Sequence, residues 1–223
     1  MVRMRTLIPA GVLCLAAGSA HALPLVNVEA GARYWNANPS GDAAYKGADW
    51  DVQDDMGFDK EWTPSFYARA AIPFVTLEAE YTDLSYSGST GTISRKWGSQ
   101  TYSTKGRDTS LDMTLTHAGA MFSVPLPFVH VGVGVGATQF DVQAKVGNDE
   151  SKFNGTLPVA EAEARVNFPA LPLMASVKAN GVAYNGDSYR DITAEVGFVM
   201  GLLQVRGGYR TIALNYDDNQ DRK

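Results

Sequence analysis

From residue 23 onward, apolar and polar side chains alternate one for one in segments of about ten residues, the length of a tilted membrane-crossing strand. Clusters of Gly, Pro, Asn, Asp and Ser separate the segments. A period of two puts successive side chains on opposite faces of a strand, whereas a helix repeats every 3.6 residues. The pattern predicts strands over 25–35, 64–72, 75–86, 109–123, 129–141, 157–168, 173–184, 191–200 and 203–215. In the first, Val26, Val28, Ala30, Ala32 and Tyr34 oppose Asn27, Glu29, Gly31 and Arg33. The next two set Phe66, Ala68 and Ala70 against Tyr67 and Arg69, and Leu77, Ala79 and Tyr81 against Glu78, Glu80 and Thr82. In the fourth, Leu111, Met113 and Leu115 oppose Asp112, Thr114 and Thr116; in the fifth, Val131, Val133 and Val135 oppose Gly132, Gly134 and Gly136. The remaining four put Glu161, Glu163 and Arg165, then Ser176 and Lys178, then Asp191 and Glu195, then Arg206 and Arg210, on their polar faces.

A soluble β-sandwich also alternates, so the polar face decides between architectures. Where a segment holds several charges they share one parity, Asp83 near the loop end of 75–86 excepted, and the apolar face is rich in Ala and Val rather than in large core residues. A lipid-facing surface needs hydrophobicity without interlocking shapes. The connections alternate between short, Pro-bearing ones (Ile72-Pro73-Phe74 among them) and long polar ones at about 37–63, 87–108, 142–156 and 185–190. Outer-membrane barrels pair tight turns at one rim with long loops at the other. Aromatics fall at the segment ends, with Tyr34, Trp35, Phe66, Tyr67, Tyr81, Tyr86, Phe140, Tyr184 and Tyr216 toward the loops. Phe74, Phe122, Phe128, Phe168 and Phe198 lie toward the turns. The expected fold is all-β: an antiparallel up-and-down transmembrane β-barrel, with nine strands visible and ten expected in the complete chain.

Residues 1–22 read as a cleaved signal peptide ahead of a barrel over 23–223. Arg3 and Arg5 precede the apolar run Leu7 to Ala17, and Ala20-His21-Ala22 supplies a small-x-small cleavage site. That run is too short to cross a bilayer as a helix. Cys14, the single cysteine, lies inside it, so the mature chain has no disulfide. Losing Arg3 and Arg5 takes the formal charge from −5 to −7, which offers nucleic acid no general attraction. The expected location is the outer membrane of a Gram-negative envelope. The partners expected there are outer-membrane lipid, lipopolysaccharide and the barrel-assembly machinery, with the barrel a monomer.

Leu23-Pro24-Leu25, Ala30-Gly31, Tyr34-Trp35-Asn36, Pro39-Ser40-Gly41-Asp42 and the stretch from Leu77 to Leu84 resemble the mature start of a family of small Gram-negative outer-membrane β-barrels. That family is similar in kind to the OmpA, OmpX and OmpW-like barrels. The likeness covers nearly the whole mature chain, but its motifs are structural and it carries over no functional residue. Such chains end on a strand with a terminal aromatic, whereas this one ends Asp221-Arg222-Lys223. Nine crossings would also make the first and last strands parallel, and antiparallel barrels close on even counts. The ninth strand is therefore expected to be an unpaired edge, and 217–223 not to be a strand.

The chemistry on offer is sparse. A lipid A-modifying enzyme needs a His base beside a hydroxyl nucleophile. His130 falls at the turn end, and His117 on the nominally lipid-facing side of its segment, so neither is expected to be catalytic. The acids of the first loop (Asp42, Asp49, Asp51, Asp54, Asp55, Asp59, Glu61) do not fit a calcium loop read from Asp49, because Asp54 stands where Gly is required and Lys60 where the bidentate Glu belongs. No cofactor or metal is expected. The informative set is inward. Glu29, Glu78, Glu80, Asp112, Glu161, Glu163, Asp191 and Glu195 face Arg33, Arg69, Arg165, Lys178, Arg206 and Arg210. A barrel this small has room for side chains but not for a wide channel, and unpaired charges in a poorly hydrated lumen are costly. The expectation is a non-enzymatic envelope or surface protein with a filled lumen. A narrow porin for small polar solutes is the alternative, and lipid A enzymology the third.

Overall fold

Alternating sequence becomes strand almost throughout. The computed structural model describes the chain apart from residues 1, 9–12, 24–25, 46–47, 52, 91–94, 98–99, 103–105, 185–186, 201–202 and 217–223. Its strands are β1 (Val2–Ile8), β2 (Leu13–Leu23), β3 (Val26–Ala37), β4 (Gly41–Tyr45), β5 (Ala48–Asp51), β6 (Glu61–Ile72), β7 (Val75–Ser89), β8 (Arg95–Trp97), β9 (Gln100–Tyr102), β10 (Asp108–Pro125), β11 (Val129–Val146), β12 (Asp149–Phe168), β13 (Leu173–Tyr184), β14 (Asp187–Met200) and β15 (Leu203–Tyr216). Nine of them (β3, β6, β7 and β10 to β15) run up and down, each antiparallel to the next, as a nearly closed barrel.

Between β3 and β15 the wall is completed by the N-terminal segment. β2 pairs with β3 from Leu13↔Tyr34 to Leu23↔Val26 and with β15 over Gln204↔Ala16 to Arg206↔Cys14. β1 continues along β15 from Ile8↔Arg210 to Val2↔Tyr216. The expected bare edge on β15 is thus not observed. β3 and β15 run in the same direction, so a strand antiparallel to both fits the slot, and β2 supplies it. The expectation for 217–223 falls outside the described residues.

Two connections are shorter than the sequence implied. The stretch 142–156 is mostly hairpin: β11 and β12 pair out to Val146↔Asp149 around Gly147 and Asn148. Gly147 has φ 61°, as a tight two-residue hairpin turn demands. Likewise β14 starts at Asp187, inside the stretch read as a loop. Loop 37–63 contains the β4–β5 hairpin, and loop 87–108 contains the separate β8–β9 pair.

Faces follow the predicted parity on eight of the nine segments. Val28, Phe66, Leu77, Tyr81, Val131, Val133, Val135, Val177, Val196 and Phe198 point outward and are exposed. β10 is the exception. Leu111, Met113, Leu115 and His117 are buried inside, while Ala118, Ala120 and Phe122 point out. The aromatics at the turn rim (Phe74, Phe122, Phe128, Phe168, Phe198) are all exposed, with Phe74 and Phe122 stacked at 6.2 Å. At the loop rim Tyr34, Phe66, Tyr81 and Tyr184 are exposed, but Trp35, Tyr67, Tyr86 and Phe140 turn inward.

Candidate functional site

The lumen is the place where polar chemistry concentrates, and it is built in two layers. On strand after strand the inward parity carries charge toward the turn rim and apolar groups toward the loop rim. Glu78 and Glu80 are followed by Leu84 and Tyr86 on β7; Arg33 by Trp35 and Ala37 on β3; Arg206 and Arg210 by Ile212 and Leu214 on β15. The apolar residues meet in one cluster with Leu111, Met113, Leu115, Phe140, Val159 and Tyr189, capped by Met56 and Phe58 from the first loop. Phe140 and Tyr189 pack edge to face at 5.0 Å.

Below this plug the charges interlock. Arg33 reaches Glu80 at 2.9 Å and Glu195 at 2.7 Å. Arg210 joins Glu80 at 2.5 Å to Asp191 at 2.6 Å. Arg206 bridges Glu29 and Glu195, and Arg165 bridges Glu29 at 3.1 Å and Glu163 at 3.4 Å. Arg69 pairs with Glu163 at 2.5 Å, and Lys178 with Glu78. Tyr67 sits at the centre: its ring lies under the Arg33 guanidinium at 4.2 Å and its hydroxyl donates to Glu29 at 3.0 Å. Charges taken out of water persist where each is met by an opposite charge and by further hydrogen bonds.

The structure brings together every inward charge expected from the sequence except Asp112. Asp112 accepts a hydrogen bond from Ser85 at 2.5 Å on the outer side of the loop-end wall. Its neighbours Leu111 and Met113 turn into the plug, and the alternation of β10 sends it the other way. The glycines of β11 face the lumen, as their parity predicted. Ala118 and Ala120 instead face out, and the room at Gly136 and Gly119 is occupied by the Glu161 carboxylate.

No family model matches the chain, and no curated protein matches it. Among solved structures it is similar to Ail, the attachment invasion locus protein of Yersinia pestis, crystallised with the heparin analogue sucrose octasulfate. That likeness has 9% identity and a TM-score of 0.38, covering 94% of this chain and 99% of that one.

Sequence reasoning missed His117. Its Nδ1 is 3.0 Å from Thr138 Oγ1, and its Nε2 is 2.9 Å from Glu161 Oε1 and 3.4 Å from Glu78 Oε1. The hydroxyl, imidazole and carboxylates form a chain, and Thr138 is wholly buried. The signal was available in the spacing: Leu115, His117, Gly119 and Met121 share a parity, and Ala118, Ala120, Phe122 and Val124 offer the better lipid face. His130 lies toward the turn rim, 3.2 Å from Arg69, beside a cavity of about 110 Å³ lined by Asn27, Glu29, Arg69 and Arg165.

Proposed function

We propose that this chain is an outer-membrane barrel with a closed lumen, serving an envelope or surface role without catalysis or bulk transport. The band of exposed Val, Leu, Ala and Phe around the wall supports membrane insertion, since an apolar surface of that extent is unfavourable in water. Export with removal of 1–22, lipopolysaccharide and lipid as neighbours, assembly by the barrel machinery and a monomeric state belong to the same reading.

The observation that carries closure is the two-layer filling of the lumen. The apolar plug spans the loop half and the ion-pair lattice the turn half; the cavity of about 110 Å³ lies beside His130 toward the turn rim, and the one at the centre of the lattice measures about 30 Å³. That is space for one or two waters rather than a file of them. A conducting pore needs continuous water, and the plug interrupts it. In planar bilayers the refolded protein is expected to show no stable channel steps. Reproducible single-channel conductance would overturn closure and install the porin reading.

A further inference from the structure

We propose that Glu78, His117 and Glu161 form a binding site for one divalent cation of the zinc class inside the barrel wall, a property separate from closure of the lumen. The three side chains converge from β7, β10 and β12, and their ligand atoms all lie within 4.8 Å of one another. Ligands about 2.0–2.2 Å from a tetrahedral zinc stand about 3.3–3.6 Å apart. The 2.9 and 3.4 Å separations from His117 Nε2 to the two carboxylates lie around the lower end of that range, and the three ligand atoms, all within 4.8 Å of one another, close around a cation when the Glu78 and Glu161 side chains turn toward it.

The surroundings are those of a ligand set. Thr138 holds Nδ1 at 3.0 Å, which orients the ring so that Nε2 points at the carboxylates; an outer hydrogen bond of this kind usually fixes a metal-bound imidazole. Glu161 is 4% exposed; its Oε1 faces His117 Nε2, and its Oε2 meets no donor among the described residues, while Glu78 Oε1 faces both His117 Nε2 and Lys178 Nζ. Two buried carboxylates converging on one point are costly unless positive charge meets them. The cradle is specific to the site: a Cβ at Gly119 or at Gly136 would run into the Glu161 carboxylate, so two adjacent strands give up their side chains to admit it. Lys178 pairs with Glu78 from the turn side, so the cation shares or displaces that partner. One nitrogen and two carboxylate oxygens suit zinc or its cobalt substitute, with a fourth position left for water.

Because the site is sealed in the folded barrel, the metal is supplied during refolding. The full chain is refolded in detergent with one equivalent of Co²⁺, desalted, and checked for folding by its heat-modifiable migration. The folded protein is expected to retain one Co²⁺ per chain, with the visible absorption of a four-coordinate nitrogen–oxygen site. His117→Gln and Glu161→Gln should lose it, while His130→Gln keeps it. Folded protein that retains no Co²⁺, or a folded His117→Gln that retains as much, would overturn the site. Should those variants fail to fold, the unaltered Co²⁺ protein decides: one exchangeable, paramagnetically shifted imidazole N–H supports a single histidine bound through Nε2, and its absence refutes it.

Discussion

Val133 and its two neighbours separate the forces that act on single residues in this wall. Val133 is 59% exposed in the turn half of β11, between the levels of Phe128 and Phe140, and touches the surroundings rather than the protein interior. Val133→Arg puts a charge in hydrocarbon and is expected to cost about 2–4 kcal/mol in urea unfolding of the vesicle-inserted protein. Gly132 and Gly134 face the other way, but they are not equivalent. A Cβ at Gly134 meets the backbone of Ala120 and Met121, which cannot swing aside, whereas at Gly132 it meets Ser123 Oγ at 3.1 Å and Met121 Cβ at 3.6 Å. Gly134→Ala is therefore expected to lose about 1–3 kcal/mol by overpacking, and Gly132→Ala less than about 1 kcal/mol. Equal unfolding midpoints for Val133→Arg and the unaltered protein would mean that β11 does not face lipid. The alternation on this strand was readable residue by residue from sequence. The difference between the two glycines was not, because the backbone of β10 sets it.

At the scale of strands, the informative case is β10, where the sequence reading put the wrong face inward. Alternation fixes which residues share a face but not which face is buried. In the turn half of the wall, apolar means outward, and Ala118, Ala120, Phe122 and Val124 obey. In the loop half the interior is itself apolar, so Leu111, Met113 and Leu115 go inside and Thr114 and Thr116 outside. The strand keeps one register throughout; the polarity of its surroundings inverts. The charged layer was legible because several charges on one parity admit few other arrangements. Tyr67 shared the face of Arg69 in the sequence but was counted with the rim aromatics, and His117 was placed on the lipid side, since a half-polar ring suits either face. The lattice also predicts how one strand's loss spreads to others. Arg206 is 2% exposed and ties Glu29 on β3 to Glu195 on β14. Arg206→Ala is expected to cost about 3 kcal/mol, the lower end for breaking a buried ion pair, because Glu29 keeps Arg165 and Glu195 keeps Arg33. Arg206→Met with Glu195→Gln should recover part of that loss, because it removes one of the acids left short of a partner. An Arg206→Ala protein with an unchanged urea midpoint would show that the pairs are not coupled as drawn.

For the molecule as a whole, the wall is not uniformly knit, and its weakest line is the seam beside β3 and β15. β11 and β12 pair without interruption from Val129↔Val166 to Val146↔Asp149. β2, by contrast, meets β15 only from Gln204↔Ala16 to Arg206↔Cys14, and its pairing with β3 slips between Ala17 and Ala20 and again between Ala20 and Leu23. Each slip leaves ladder groups without their regular partners, and local opening is easiest where such bonds are fewest. The sequence foretold a difficulty at this place from the odd strand count, though it expected an open edge rather than one lined by β1 and β2. Interior charge ties side chains across this seam, Arg206 on β15 to Glu29 on β3 and Arg33 on β3 to Glu195 on β14, but it supplies no partner to the backbone groups that the slips leave unpaired. Hydrogen exchange read by mass spectrometry in detergent should find peptides covering 26–37 and 203–216 exchanging at least about tenfold faster than those covering 129–146. The same contrast is expected if 1–22 is removed on export, because β3 and β15 then lose β1 and β2, the strands that pair with them across the slot among the described residues. Equal protection around the ring would mean that the seam is as strongly hydrogen-bonded as the β11–β12 ladder, and the weak-line account would fail.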